Sequence, residues 1–172
     1  MKPAALVVGL LFSVAGCAQL EQVAPPQNAL SRPITPAEID WSRKSGANTV
    51  SGVAMLKAGD ASHTCSGQSA NLIPDSDYAR ARMTAIFGNA TKGMRPASRG
   101  AEKFDRDDAL YVSTLRTARC DASGSFSFPR VPDGVWYVTT SVKWQGASQV
   151  EGGSLMQRVD VRGGRLVKVT LP

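Results

Sequence analysis

Residues 120–138 decide the fold: Cys120-Asp121-Ala122-Ser123-Gly124-Ser125-Phe126-Ser127-Phe128-Pro129-Arg130-Val131-Pro132-Asp133-Gly134-Val135-Trp136-Tyr137-Val138. Asp121 and Gly124 are turn residues. An aspartate side chain accepts from backbone N–H groups just downstream, and glycine takes positive φ at no steric cost. In the strand that follows, Phe126 and Phe128 point to one face, because side chains alternate along a strand. Pro132-Asp133-Gly134 turns the chain again, and the aromatic and β-branched run Val135–Val142 begins another strand.

The same pattern extends both ways. Thr49–Leu56 ends at Ala58-Gly59-Asp60, Gln68–Ile73 stops at Pro74, and Leu110–Leu115 precedes Cys120. Leu155–Val161 and Leu166–Leu171 flank Arg162-Gly163-Gly164-Arg165, where two glycines suit a tight hairpin. With Ser125–Phe128 and Val135–Val142 these runs predict a mainly β fold, an antiparallel seven-stranded Greek-key β-sandwich. One stretch has a different period. Ala79, Met83, Ile86 and Phe87 recur at helical spacing between Asp75 and Gly88, with Asp75 or Ser76 to cap the start and Gly88 to end it. Asn89–Asp108, rich in Gly, Lys, Arg and Asp, is expected to be exposed and mobile. Residues 75–109 thus form a helix-bearing insertion, and long loops on rigid scaffolds are where binding residues gather.

The quoted stretch resembles the core signature of carboxypeptidase-regulatory-like, transthyretin-like domains, in which a turn of the form Asp-x-x-Gly leads through Phe-x-Phe into Val-Pro-x-Gly. Gly52-Val53 resembles the opening strand of that family. The resemblance implies a prealbumin-like sandwich and a protein-interaction or structural module. The peptidase in the family's name finds no support in the residues. A zinc carboxypeptidase needs several histidine and carboxylate ligands, and His63 is the sole histidine. No serine sits in a nucleophile elbow, Gly152-Gly153 lacks the lysine of a phosphate loop, and Asp105-Arg106-Asp107-Asp108 lacks the spacing of a calcium loop. No enzyme activity, cofactor or metal is expected. An intramolecular Lys57 crosslink is not favoured either, since Leu166–Leu171 offers no Asn or Asp acceptor.

The N-terminus gives the location. Lys2, an apolar stretch from Ala4 to Ala15 and the sequence Val14-Ala15-Gly16-Cys17 have the layout of a secretory signal that ends at a cysteine. The stretch is well short of the roughly 20 residues a spanning helix needs. Residues 1–16 are therefore read as a lipoprotein signal peptide, and Cys17 as the acylated first residue of the mature chain, holding it to the lipid bilayer. Ala18 and Gln19, with no aspartate, favour the outer membrane, facing the periplasm. Residues 17–33, with Pro25-Pro26, read as a flexible tether, leaving 34–172 as one sandwich domain. Cys65 and Cys120, in an oxidising compartment, are expected to form a disulfide.

The chain has 172 residues and a formal charge of +6. Its cations are scattered rather than clustered, so nucleic acid is not an expected partner. The expected partner is an envelope protein or a glycan, the alternative function being a peptide- or glycan-binding, peptidoglycan-associated module. Candidate binding residues are Tyr78, Arg80, Arg82, Lys92, Arg95 and Arg99 in the insertion. Trp144, beside Lys143 and Gln145, adds an exposed aromatic platform.

Overall fold

Phe126 and Phe128 do share a face, and that face closes a sandwich. A computed structural model describes residues 28–172; the segment read as a signal peptide, Cys17 and the start of the segment read as a tether lie outside the described residues. The strands are β1 (Asn48–Val53), β2 (Met55–Ala58), β3 (Ala61–Thr64), β4 (Ser69–Pro74), β5 (Lys92–Pro96), β6 (Arg116–Arg119), β7 (Ser125–Val131), β8 (Gly134–Gln145), β9 (Val150–Val161) and β10 (Leu166–Thr170). The helices are α1 (Pro36–Ile39), α2 (Asp77–Phe87) and α3 (Ala109–Thr114). A three-stranded sheet, β10-β1-β7, faces a five-stranded one, β5-β9-β8-β4-β6, and β2 and β3 form a separate hairpin.

The larger sheet is buried on both sides. One side packs against the small sheet, with Val50, Phe126, Phe128 and Val169 meeting Leu72, Trp136, Val138 and Leu155. The other side carries Ile73, Tyr137 and Met156 under Tyr78, Ala79 and Met83 of α2 and Tyr111 of α3. Adjacent residues Trp136 and Tyr137 are therefore both fully buried, one in each layer, because neighbouring residues of a strand face opposite sides. The Asp121 turn forms as its residues dictate: its Oδ1 accepts from the N–H groups of Ser123 and Ser125, at 2.8 and 2.9 Å, and Gly124 has φ 79°.

The mainly β class holds, with corrections of detail. Among the described residues there are ten strands rather than seven, and the arrangement is not wholly antiparallel, since β10 runs parallel to β1. Gly163-Gly164 is thus not a hairpin turn. It carries the chain from the large sheet to the small one, held by Gly163 N–H donating to Asp133 and Arg165 N–H donating to Asn48. Leu110–Leu115 is not a strand. Asp108 accepts from the N–H groups of Leu110 and Tyr111 and caps α3, and its other oxygen accepts from Ile34 N–H. A local cap there outweighs β propensity. Finally, residues 89–108 include β5, an edge strand paired with β9, so this part of the insertion is fixed to the sheet. The Thr49–Leu56 run also divides, at buried Ala54, into β1 and β2. From residue 28 the segment read as tether packs on the body: Ala29 is buried, and Arg32 pairs with Glu38, whose carboxyl it holds down to about 2. Among the described residues, no helix is long and apolar enough to cross a membrane.

Candidate functional site

A groove lies on the helix-bearing side of the large sheet. Its floor is Ser69 and Asn71 of β4, Thr139 and Ser141 of β8, and Ser154 of β9. Its wall is Met83, Ile86 and Phe87 of α2, with Tyr111 and Leu115. This hollow measures about 260 Å3. It adjoins a second hollow of about 280 Å3, across Ile86 and Ser154, lined also by Arg82, Arg95, Glu102, Phe104 and Lys143. On the floor, the Ser141 and Ser154 hydroxyls lie 3.2 Å apart, and Thr117 donates to Asn71 Oδ1 at 3.1 Å. That bond turns the Asn71 amide so that its NH2 donors are left over. Burial pushes the Tyr111 hydroxyl up to about 12 despite the nearby Arg82, so it is a neutral hydroxyl at any physiological pH.

Local chemistry holds the wall in place. Ser76 Oγ accepts from Ala79 N–H at 3.1 Å at the start of α2, and Gly88 ends it in the left-handed region at φ 71°. Asp75 lies just before the helix. Its Oδ2 accepts from Arg80 at 3.1 Å and from Arg158 of β9 at 2.8 Å, which ties α2 to the sheet. Next to this network is the buried Tyr137 hydroxyl, whose pKa is raised chiefly by burial. At the other end of the helix, Arg95 of β5 donates to the carbonyls of Ile86 and Gly100 and pairs with Glu102 at 2.9 Å. Arg82 donates to the Tyr78 hydroxyl at 3.1 Å, pairs with Asp107, and lies 3.8 Å over the Phe104 ring.

These positions sort the candidate residues. Arg82 and Arg95 line the groove. Tyr78 is buried in the helical layer and is not a surface contact. Arg80 is spent on Asp75 and Asp77, so a free cationic cluster of Arg80, Lys92, Arg95 and Arg99 does not exist. Lys92 and Arg99 are exposed; Arg99 lies on the short turn after β5, and Lys92 is paired in register with Gln157, on the opposite face of the sheet from Arg95. Trp144 is half-buried, its ring stacked on His63 at 4.1 Å and its Nε1 donating to Glu151. It is therefore not a free platform, since one ring face is already covered. Cys65 and Cys120 form the expected disulfide.

The fold has a solved counterpart. A crystal structure from Pseudomonas aeruginosa, of a protein proposed to bind carbohydrate, is similar to this chain with a TM-score of 0.67. It covers 86% of this chain and 98% of its own, at 23% identity. A minor pilin of Streptococcus agalactiae is more distant, with a TM-score of 0.36 at 12% identity over 72% of this chain and 49% of its own. No protein-family model matches the chain, and no curated protein does.

Sequence reasoning missed the groove floor. Ser69, Asn71, Thr139, Ser141 and Ser154 are ordinary polar positions of three strands, and what unites them is register. The available signal was alternation: Thr139, Ser141 and Lys143 share the face that Tyr137 fixes. Among the described residues, no three His, Cys, Asp or Glu side chains converge in a way that could hold a metal ion.

Proposed function

We propose that this chain is a non-catalytic binding module of the bacterial envelope, lipid-anchored at Cys17, and that its groove takes carbohydrate. One observation carries the carbohydrate reading. The groove sets a floor of small hydroxyls and an amide against a wall formed by Ile86, Phe87 and Tyr111. A sugar ring has the matching division into a hydroxyl rim and an apolar C–H face, and specific pockets combine apolar lining with a few placed polar groups. The Pseudomonas protein of the same fold supports this reading. The transthyretin-like class, the signal peptide and an outer-membrane location facing the periplasm belong to the same proposal, on the sequence features given above.

The carbohydrate reading is tested by screening the purified domain against a glycan array that includes peptidoglycan fragments. Asn71→Ala and Ser141→Val should each lower affinity for a hit by about three- to tenfold, the cost of one or two lost hydrogen bonds. A hit left unchanged by both substitutions would place sugar binding elsewhere. Anchoring is tested apart: Cys17→Ser should leave the protein unprocessed or release it from membranes. Membrane retention at normal mature size would refute lipidation.

A second reading, protein interaction, has its own observation. A cleft of about 660 Å3 on the small sheet is lined by Ser51, Val53, Ser127, Lys168 and Thr170, with Arg119 and Asp121. The strands β7 and β10 border this sheet and are unpaired on their outer sides among the described residues. Free edges of this kind accept an added strand from a partner. Nuclear magnetic resonance mapping separates the readings, because a glycan should shift β4, β8 and β9 amides and a protein partner those of β7 or β10.

A further inference from the structure

The strand register turns the groove floor into a ruler. Arg95 of β5 pairs with Ser154 of β9, and Ser154 pairs with Ser141 of β8. Asn71 of β4 pairs with Thr139, so Ser69 falls beside Ser141 one pleat further along. Ser69, Ser141, Ser154 and Arg95 thus form one row across four strands. With neighbouring strands about 4.8 Å apart, the row is about 14 Å long. Its repeat is close to the length that one linked pyranose adds to an extended glycan. Three successive serines also keep the row shallow, so a chain can lie across it.

The two ends of the row differ in charge. The hollow at the Ser69 end has no charged residue in its lining. The hollow at the β5 end has three cations, Arg82, Arg95 and Lys143, against one carboxylate, Glu102. Arg95 is satisfied by Glu102 and three carbonyls, and Arg82 is paired with Asp107. Lys143 is different. It is two residues beyond Ser141 on the same strand face, it is exposed, and no ion pair holds it among the described residues.

We infer that the groove is built for a linear, carboxylate-bearing oligosaccharide lying across the strands, about one sugar per strand, with an acidic group at Lys143. The inference rests on the carbohydrate reading and narrows it to acidic, extended glycans. A globular branched sugar would use the two hollows without the row, and a neutral chain would leave Lys143, which lies beside the row on β8, unmatched.

The probe is a series of oligogalacturonates, from disaccharide to hexasaccharide, each as the free acid and as the methyl ester, titrated calorimetrically into the mature domain. Affinity should rise with length up to the tetrasaccharide and then level off. The acid should bind about fivefold more tightly than its ester, the scale of one exposed charge pair, and salt should erode that margin. Lys143→Gln should abolish the margin between acid and ester while leaving the unfolding midpoint unchanged. Equal affinity for acid and ester would overturn the charge assignment, and affinity independent of length would overturn the ruler. The carbohydrate reading survives either result. Binding of neither series would overturn this inference, and the glycan array would then decide separately whether the groove takes any sugar.

Discussion

Replacing Cys65 and Cys120 together by alanine is expected to destabilise the domain by about 4 kcal/mol, the value the chain-entropy picture gives for a closed loop of this length. The two cysteines are 55 residues apart and bonded. Both are buried in the sandwich core. Cys65 follows β3, and Cys120 ends the run from β6 into the Asp121 turn. The bond therefore joins the β2–β3 hairpin to the corner where the chain leaves the large sheet for the small one. That hairpin has few other ties: its His63 stacks on Trp144, and Cys65 N–H donates to Ala54 O. The double variant should show a lower denaturant midpoint, and reducing the wild type should reproduce most of the loss. Hydrogen exchange should speed up first in β2 and β3, since local opening follows the weakest-held unit. Equal midpoints for oxidised, reduced and substituted protein would show that the bond contributes nothing to stability.

The Asp121–Gly124 turn and the ends of α2 were legible in the sequence because each is written in a few adjacent residues. Asp121 and Gly124 make their turn with no help from distant chain, and so do Ser76 and Gly88 at the ends of α2. What was illegible depends on partners far away in sequence. Leu110–Leu115 carries β-forming residues, yet Asp108 caps it as a helix and Tyr111 finds a place in the layer above the sheet. β10 has the alternation of a hairpin strand, but its partner is β1 in parallel, and only the bonds from Gly163 to Asp133 and from Arg165 to Asn48 reveal why. Residues 92–96 contain Gly93 and Pro96, both poor strand formers. They pair because β9, whose one edge is taken by β8, offers its other edge over Gly153–Gln157. Charge was misleading for a different reason, since the partners here are near in sequence and only the path of the chain shows that they meet. Arg80 and Arg95 look like free cations in the sequence, whereas folding brings Asp75 to one and Glu102 to the other.

Asp75→Ala is expected to be the most damaging single substitution at the site, at about 3–5 kcal/mol, because removing one partner of a buried ion network strands the others. The Asp75 side chain is 9% exposed and bridges Arg80 and Arg158, which are 17% and 30% exposed. Without it, two guanidinium groups face each other between α2 and β9 with only Asp77 nearby, on the Arg80 side. Tyr137→Phe nearby is the contrasting case. Its buried hydroxyl makes no well-formed hydrogen bond among the described residues, and the Asp75 carboxylate close by acts on it mainly through its charge, so deleting it should change stability by less than about 1 kcal/mol and could add some. Denaturant unfolding of the two variants separates the ion pairs from the hydroxyl, since a similar loss in both would show that the Tyr137 hydroxyl is itself a working member of the Asp75 network. The consequence for the groove follows from position. Asp75 fastens the start of the helix whose far end, Ile86 and Phe87, forms the wall over Ser141 and Ser154. Loosening that attachment should speed hydrogen exchange in α2 and weaken the glycan binding proposed above, even at temperatures where the sandwich itself stays folded. Destabilisation with unchanged binding would mean that the wall is held by Arg95 and the apolar layer alone, and that the Asp75 network serves the fold without serving the site.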